Sequence, residues 1–431
     1  MISDALLECV ARLSDPRAAL PAEVETRARW LVLDTLGCAI AASRSATVRS
    51  WLDRHGLTDD PYGATGAGAA AGDVGPAMAL TMGACWDEAC EGHAGAHGRP
   101  GVAALGALWP SVPEMTIGEC LRAVVIGYEV GARMGAVLRI APGMHVDANW
   151  PSLGAAAAAA CALGLDPDGI VTAVGIAACQ LPASLYRPVR TGDSARNTYL
   201  GHAAVLGRIA AQSAAAGITA PVDAVEDYAR VAYGRTEVPT PAGPGHFEIL
   251  SGYFKEYAAV RHVHYGARAA WDLRASVAPE RIASIEVWTY PEAIQYCGIR
   301  DPKTALQAQF SLSFGIAAML RWGRLDPSVY REPDFTDPLL RALESAVVIH
   351  EQPDWAGQRA ARLRLVDTVG RPAETVVSAV RGDASAPWSA ESLADKFLTY
   401  CRGTLSDARA GALAGHLLRA PLTAGVFPPR G

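Results

Sequence analysis

The sequence predicts a mainly α-helical protein with an inserted α+β domain, and three observations lead to this prediction. Apolar residues recur at helical spacing over about the first 260 residues, alternate with polar residues near residue 280, and return to helical spacing after Ser389. The length of 431 residues favours two domains over one. We therefore expect a large helical-bundle domain from residues 1–267 and 389–431, with a smaller α+β lid domain from residues 268–388.

Amphipathic runs mark the helices. Between residues 24 and 42, apolar residues recur every three or four positions and form one stripe. A second run, residues 117–138, follows Thr116 and carries Glu119 three residues after it, which is the pattern of a capping box. The same criteria predict helices at residues 153–163, 203–216, 305–322, 337–348, 391–405 and 408–418.

Alternating apolar and polar residues mark the strands of the smaller domain. The segment RIASIEVWTYPEA alternates through Ile285, Val287 and Thr289, which is typical of a strand. The segment ARLRLVDTVGRPAETVVSAV contains two alternating runs that meet at residues 367–370. Because this junction ends in glycine, the two runs predict a β-hairpin.

Composition excludes several classes of function. The net charge is −6 and the sequence pI is near 5.9, so the chain lacks the basic surface that binds nucleic acid. The longest apolar stretch, residues 154–165, is short and rich in alanine, so no membrane span is expected. The nine cysteines are scattered without a CxxC pair, and the N-terminus lacks the pattern of a secretion signal. Both features favour a cytoplasmic protein.

Four segments concentrate ionisable residues that a helical core would not favour. They are residues 85–97, residues 143–150, residues 187–196, and Lys255 with His262 and His264. Each has a structural explanation, because a histidine at a helix end is often a cap and a loop arginine is often solvated. Three arginines between hydrophobic helices nevertheless favour a wet pocket that receives an anion.

The first of these segments also has the composition of a metal site. Cys90, His93 and His97, together with Asp87 and Glu91, include the ligand types of zinc and iron. The Ala-Gly-Ala spacer between the histidines is a poor helix, however, and no second pair of soft ligands follows. We therefore expect no metal and no cofactor. A metal-dependent hydrolase and a non-catalytic binder stay as alternatives.

Seven segments, in this order, resemble those of the MmgE/PrpD family. They are RARWLVLDTLGCAIAAS, IGYEVGARMG, HVDANWPSLGAAAAAA, GHAAVLGRIAAQSAAAGITAP, KEYAAVRHVH, QAQFSLSFGIAAML and LADKF. The family contains 2-methylcitrate dehydratase, cis-aconitate decarboxylase and iminodisuccinate epimerase. The resemblance implies a helical domain with an α+β lid, an active site in the cleft between them, and a homodimer. It also implies an enzyme that acts on small carboxylates without metal or organic cofactor.

The family's pocket residues match five positions of this chain: Asp87, His97, His145, Lys255 and His264. We expect His97 to remove a proton next to a carboxyl group, because histidine titrates near neutral pH. Asp87 is expected to orient a neighbouring imidazole, and His145 to act as the second acid or base. Lys255 would stabilise the negative charge that develops.

Three positions depart from the family's pattern. Arg196 replaces a lysine, Glu91 a threonine and Phe314 a tyrosine. We expect these three, with His264 and Tyr199, to contact the substrate. The sequence therefore predicts a cofactor-independent lyase, dehydratase- or decarboxylase-like, that acts on a small polycarboxylic acid. An epimerase of a small dicarboxylate, or a specialised secondary-metabolite enzyme of the same family, stays as an alternative.

Overall fold

The structure, a computed structural model, describes residues 1–15, 17–57, 62, 74–243, 245–383 and 385–428. The helices that begin before residue 235 are α1 (Ile2–Ser14), α2 (Ala22–Ala42), α3 (Ala46–Arg54), α4 (Val74–Trp86), α5 (Pro100–Leu108), α6 (Ile117–Val137), α7 (Pro151–Ala162), α8 (Pro167–Ala178), α9 (Arg187–Thr191), α10 (Tyr199–Ala215) and α11 (Ala224–Tyr233). The later helices are α12 (His264–Leu273), α13 (Pro291–Cys297), α14 (Ala305–Gln309), α15 (Leu312–Trp322), α16 (Pro338–Ala346), α17 (Ala390–Cys401) and α18 (Asp407–Arg419).

Two sheets are present in the described residues. The first is a two-stranded antiparallel ribbon of β1 (Gly92–His93) and β2 (Gly252–Tyr253). The second has the strand order β4-β3-β5-β6, and its strands are β3 (Ile282–Thr289), β4 (Val347–Glu351), β5 (Ala361–Asp367) and β6 (Pro372–Val377). β3 and β4 are parallel, whereas the other neighbours are antiparallel. Helix α12 packs on β5 and β6 and covers this sheet.

Helix α7 lies at the centre of the helical part and packs against α5, α6, α8 and α10. Its alanines at residues 155–160 are all buried. A Cβ atom added at Gly154 would lie 2.5 Å from the carbonyl oxygen of Gly127 on α6, so glycine is required for this approach. The contact places α6 beside α7 and thereby positions the connecting segment, which carries His145.

The mainly α fold with a smaller α+β part is confirmed. The capping box is also confirmed, since the Thr116 hydroxyl accepts a hydrogen bond from the Glu119 N–H at 3.2 Å. The predicted hairpin is formed by β5 and β6. C-terminal helices α17 and α18 pack against α2, near the other end of the chain. The domain boundaries at residues 267 and 389 stay predictions.

Three helices were predicted with the wrong extent, and one of them, the run 391–405, ends as a helix at Cys401. The run 305–322 is interrupted at Ser311, because its hydroxyl accepts a hydrogen bond from the Phe314 N–H and caps a new helix. The run 337–348 ends as a helix at Ala346, since the β-branched Val347 begins strand β4. No single helix of the described residues is long and apolar enough to cross a membrane. Helices α2 and α3 together reach the required length and apolar composition, but the chain bends by 100° between them.

Candidate active site

A cavity of about 390 Å³ lies where the helical part meets the α+β part. Its wall comes from residues within the segments 88–99, 135–150, 186–196, 253–262 and 296–310, together with Arg359. The β1–β2 ribbon joins the first and fourth of these segments by pairing Gly92 with Tyr253 and His93 with Gly252. Parts of the chain that are distant in sequence are thus held on one wall.

Two residues of the first segment have left-handed backbone conformations. The φ angle is 54° at Glu88 and 58° at His97. This region is costly for residues other than glycine, and such conformations concentrate at functional sites. Close packing maintains the segment, because a Cβ atom added at Gly98 would lie 2.5 Å from the Trp150 ring. The segment therefore presents the Glu88 and His97 side chains from defined positions.

Five buried charged residues that line the cavity, Glu88, Arg99, Asp147, Arg196 and Lys255, form what we call the inner cluster. Lys255 Nζ donates to Glu88 Oε1 at 2.5 Å, and Arg99 Nη1 donates to Glu88 Oε2 at 3.0 Å. Arg196 Nη2 donates to the same Oε2. Arg99 Nη2 also donates to Asp147 Oδ2 at 2.5 Å. Three cations therefore face two carboxylates, which leaves one net positive charge.

Both carboxylates of the inner cluster are ionised at neutral pH. Burial by itself raises the pKa of Glu88, but the charges of the three cations outweigh burial and hold that pKa well below its usual range. Burial also opposes ionisation of Asp147, yet the nearby positive charges, that of Arg99 foremost, lower its pKa. The cations of the inner cluster are thus already neutralised to a large extent by the protein itself.

Glu91 also lines the cavity, but its surroundings shift its pKa in the opposite direction. Its Oε1 accepts a hydrogen bond from the Gly101 N–H at 2.9 Å, and its buried Oε2 has no hydrogen-bond partner among the described residues. Burial, and then the charge of Cys90, raise the pKa of Glu91 well above its usual range. Burial therefore favours the protonated form of Glu91, which can donate its proton within the cavity.

His145 is buried beside Asp147 and is uncharged at neutral pH. Burial lowers its pKa to about 4, and the Asp147 charge offsets this only in part. Nδ1 accepts a hydrogen bond from the backbone N–H of Asp147 at 3.2 Å, so the ring proton is on Nε2. Tyr186 stacks on the ring with 5.8 Å between centroids. His145 can therefore offer an N–H group to a bound ligand.

Four less buried residues of the same cavity, His97, Arg139, His262 and Arg359, form what we call the outer cluster. Burial and the charges of the two arginines lower the pKa of His97. Burial, and then the charge of Arg359, lower the pKa of His262 to about 3. Both rings are therefore unprotonated near neutral pH. In the described part of the chain, neither arginine of this cluster forms an ion pair with a carboxylate.

Five of the nine predicted site residues line the cavity: Glu91, His97, His145, Arg196 and Lys255. The predicted segment 187–196 contributes Arg196, which is buried, whereas its two other arginines are exposed. The structure thus brings the predicted acid, base and cationic residues together. Their roles in a reaction stay predictions.

The other four predicted residues are not among those that line the cavity. Asp87 Oδ2 accepts a hydrogen bond from Arg331 Nη2 at 2.8 Å, instead of a contact with an imidazole, and the next residue, Glu88, takes the position at the cavity. Phe314 is fully buried and stacks on Tyr330 with 5.8 Å between centroids, because the first turn of α15 faces the core.

Tyr199 and His264 also have contacts outside the cavity wall. The Tyr199 hydroxyl donates to the carbonyl oxygen of Leu185 at 3.0 Å, and its ring packs edge-on against His145. His264 is buried, and its Nε2 lies 3.1 Å from the carbonyl oxygen of Ala259. Both residues therefore pack behind the residues that line the cavity and do not face the cavity themselves.

The residues of the candidate metal site do not converge. His93 Nδ1 accepts a hydrogen bond from the Ala96 N–H, and its Nε2 lies 3.3 Å from Glu248 Oε2. Cys90 Sγ instead lies 3.8 Å from Arg99 Nη1. Within the described residues, no group of three or more histidine, cysteine, aspartate or glutamate side chains is arranged to hold a metal ion.

Sequence reasoning did not single out five residues of the two clusters: Glu88, Arg99, Arg139, Asp147 and Arg359. Two of them, Glu88 and Asp147, lie in segments that the sequence marked as rich in ionisable residues, and Arg99 lies two residues after one of these segments. The signal was therefore present, but it did not distinguish Glu88 from its neighbour Asp87. Arg359 lies in a loop before β5, and no pattern in the sequence marked it.

Fold and cavity define a helical protein with an α+β part and, between them, a cavity lined by cationic and titratable side chains. The chain belongs to the MmgE/PrpD family: the MmgE/PrpD N-terminal domain matches residues 13–235, and the MmgE/PrpD C-terminal domain matches residues 257–418.

Curated relatives share a smaller part of the chain. The cis-aconitate decarboxylase-like protein oryM of Aspergillus oryzae is 29% identical over 208 residues, which are 42% of each chain. The cis-aconitate decarboxylase of Aspergillus terreus is 27% identical over 203 residues, 42% of this chain and 41% of the relative. The match therefore spans less than half the length of these relatives.

Proposed function

We propose that the chain is a cofactor-independent lyase that acts on a small polycarboxylic acid, in the manner of a dehydratase or decarboxylase. The observation that best supports this proposal is the presence of unprotonated imidazoles and arginines in one cavity. Such imidazoles can accept a proton near neutral pH, while the arginines favour an anionic substrate. Family membership and the names of the two Aspergillus relatives support the same class of reaction.

In the proposed reaction, His97 takes a proton from the carbon next to a carboxyl group, and the electron pair is delocalised into that group. The Nε2–H of His145 and the net positive charge of the inner cluster stabilise the negative charge. In a dehydration, the C–O bond at the adjacent carbon then breaks, and hydroxide leaves as water with the proton of Glu91. In a decarboxylation, no C–H proton is removed: the C–C bond to a carboxylate breaks, carbon dioxide leaves, and the carbon that keeps the electron pair takes the proton of Glu91.

Incubation with candidate acids in deuterated water tests this proposal. Citrate, 2-methylcitrate and cis-aconitate would each be followed by NMR for deuterium incorporation and by mass spectrometry for loss of water or carbon dioxide. We expect at least one acid to lose one of these molecules. Exchange or inversion without such a loss would favour an epimerase, and neither change with any acid would contradict a lyase of this substrate class.

A chelator tests the cofactor-independence of the proposal. Activity should survive treatment with EDTA, because the proposed steps use only imidazole, carboxyl and cationic side chains. Activity that is lost on treatment and returns in proportion to added zinc or iron would contradict this part. The homodimer implied by the resemblance belongs to the same proposal, and light scattering of the purified chain would test it.

A further inference from the structure

We infer that a substrate carboxylate binds in the outer cluster, held by Arg359 of the α+β part and Arg139 of the helical part, rather than by the arginines and lysine of the inner cluster. This inference rests on the proposed function, since it assigns the place where the acid is held. It differs from the sequence-based expectation, in which Arg196 was the residue that received the anion.

The inner cluster has little capacity for another anion. All three of its cations donate hydrogen bonds to Glu88, and Arg99 also donates to Asp147. A substrate carboxylate could bind these cations only by displacing Glu88, whose charge would then remain buried without its partners. Lys255 Nζ also donates to the carbonyl oxygen of Glu88 at 2.9 Å, which leaves few free donors. The single net positive charge stabilises charge within the cavity without offering an empty binding position.

The outer cluster has the complementary properties. Arg139 and Arg359 line the cavity, and neither pairs with a carboxylate among the described residues. The three acidic residues of the cavity wall are Glu88, Glu91 and Asp147, and the first and third belong to the inner cluster. An arginine presents a planar set of donors that fits a carboxylate in a bidentate manner. Arg359 is also partly buried, which strengthens its attraction for an anion relative to a fully solvated side chain.

The position of Arg359 also suits the proposed chemistry. Arg359 lines the same cavity as His97 and His262, and its charge lowers the pKa of both rings. A carboxylate held by Arg359 therefore lies in the same cavity as the imidazole that is proposed to take the proton. Because Arg139 and Arg359 come from the two parts of the protein, the bound acid would bridge them and bring the base and the substrate together.

Calorimetric binding of tricarballylate, a saturated tricarboxylate, tests the inference with three variants. Arg359→Gln should weaken binding about 10- to 100-fold, as expected for the loss of charge-assisted hydrogen bonds. Arg359→Lys should recover part of the loss, because it keeps the charge without the bidentate geometry. Arg364→Gln, an exposed arginine on β5 of the same part, is the matched control and should stay within about twofold of the wild type.

The pKa of His97, measured by NMR in the same proteins, gives a second measurement that does not depend on turnover. It should rise when Arg359 is replaced by glutamine, since a nearby positive charge is removed, and it should rise in the wild type when tricarballylate binds. Equal affinity of the wild type and a folded Arg359→Gln variant, with turnover of a tested acid, would overturn the inference and leave the proposed function intact. A wild type that neither binds nor converts any acid would count against both.

Discussion

The two clusters of the cavity contain similar residues but differ in whether carboxylates of the protein neutralise their cations. In the inner cluster, Arg99, Arg196 and Lys255 are buried and paired with carboxylates of the protein. In the outer cluster, Arg139 and Arg359 are more exposed and, among the described residues, pair with no carboxylate. The comparison shows that a cation in a pocket indicates a ligand only when the fold leaves it unneutralised. Burial and residue type alone do not separate the two cases.

Replacement of His97 should produce the largest effect. His97→Gln keeps a polar side chain of similar size but removes the titrating group, so kcat should fall on the order of 10²–10⁴-fold. The Michaelis constant should change little, because the carboxylate is held by arginine. Steady-state kinetics with any acid that the NMR assay identifies would measure both quantities. The exposed His202→Gln on α10 is the control, and a folded His97→Gln protein with near-normal kcat would move the role of base to His262, the other unprotonated ring of the outer cluster.

Replacement of Glu88 tests whether the inner cluster is held together by ion pairs, through its effect on the free energy of unfolding. Glu88→Gln leaves three buried cations without their central partner, so the free energy of unfolding should fall by about 3–5 kcal/mol. Chemical denaturation measures this quantity. Glu374→Gln removes an exposed carboxylate on β6 that lies 4.0 Å from Arg362, and it should cost less than about 1 kcal/mol. Equal losses in the two variants would mean that the inner cluster is not a tightly coupled ionic network.

The stability of the protein should fall as the pH decreases from about 6.5 to about 4, in part because of His145. The unfolded chain takes up a proton on this residue near pH 6.5, whereas the folded protein resists protonation until about pH 4. More protons are therefore bound by the unfolded state in this window, and stability rises with pH. The contribution of His145 is on the order of 3 kcal/mol.

Thermal unfolding across this pH range, measured for the wild type and for His145→Gln, isolates that contribution. The variant should have a smaller decrease in Tm between pH 6.5 and 4, while His202→Gln should follow the wild type. Glu91, whose pKa is raised in the folded state, contributes to the pH dependence of stability with the opposite sign. Because Glu91 is present in both proteins, its contribution cancels when the Tm values of the variant are subtracted from those of the wild type. Identical slopes in the wild type and His145→Gln would show that His145 is not held uncharged by burial.

Replacement of Glu91 should have the smallest effect on the free energy of unfolding. A protonated glutamic acid and a glutamine are both neutral, and the side-chain oxygen of the new amide could still accept the hydrogen bond from the Gly101 N–H. Glu91→Gln should therefore change the free energy of unfolding by no more than about 1 kcal/mol. The same denaturation experiment compares it directly with Glu88→Gln, three residues away. A loss as large as that of Glu88→Gln would mean that Glu91 is ionised and paired in the folded protein.

Local patterns in the sequence were sufficient for most of the fold. Thr116 and Glu119 identify the start of α6, because a capping box is satisfied within four residues of the chain. Ser311 also caps a helix, but the apolar pattern continues across it, so the break between α14 and α15 was not predicted. The strand at Val347 was missed for a similar reason, since its pairing partner β3 lies about 60 residues earlier in the chain.

The site was harder to predict than the fold, because it depends on contacts between distant segments. Family resemblance identified five of the residues that line the cavity, but it could not show that Arg196 and Lys255 pair with Glu88. The choice between Asp87 and Glu88 depends on a left-handed backbone conformation that the sequence does not indicate. Arg359 reaches the cavity from a loop of the α+β part, and only the three-dimensional arrangement reveals it.

The β1–β2 ribbon has a consequence for the order in which the protein folds. It holds Lys255 against Glu88, although the two residues are 167 positions apart in the chain. Closing a loop of this length costs conformational entropy before any contact compensates for it, so we expect the ribbon to form after the local helices around α7. Substitutions in the ribbon should therefore accelerate unfolding more than they slow folding. A chain that has packed its helices can thus be nearly native in shape and still lack its active site.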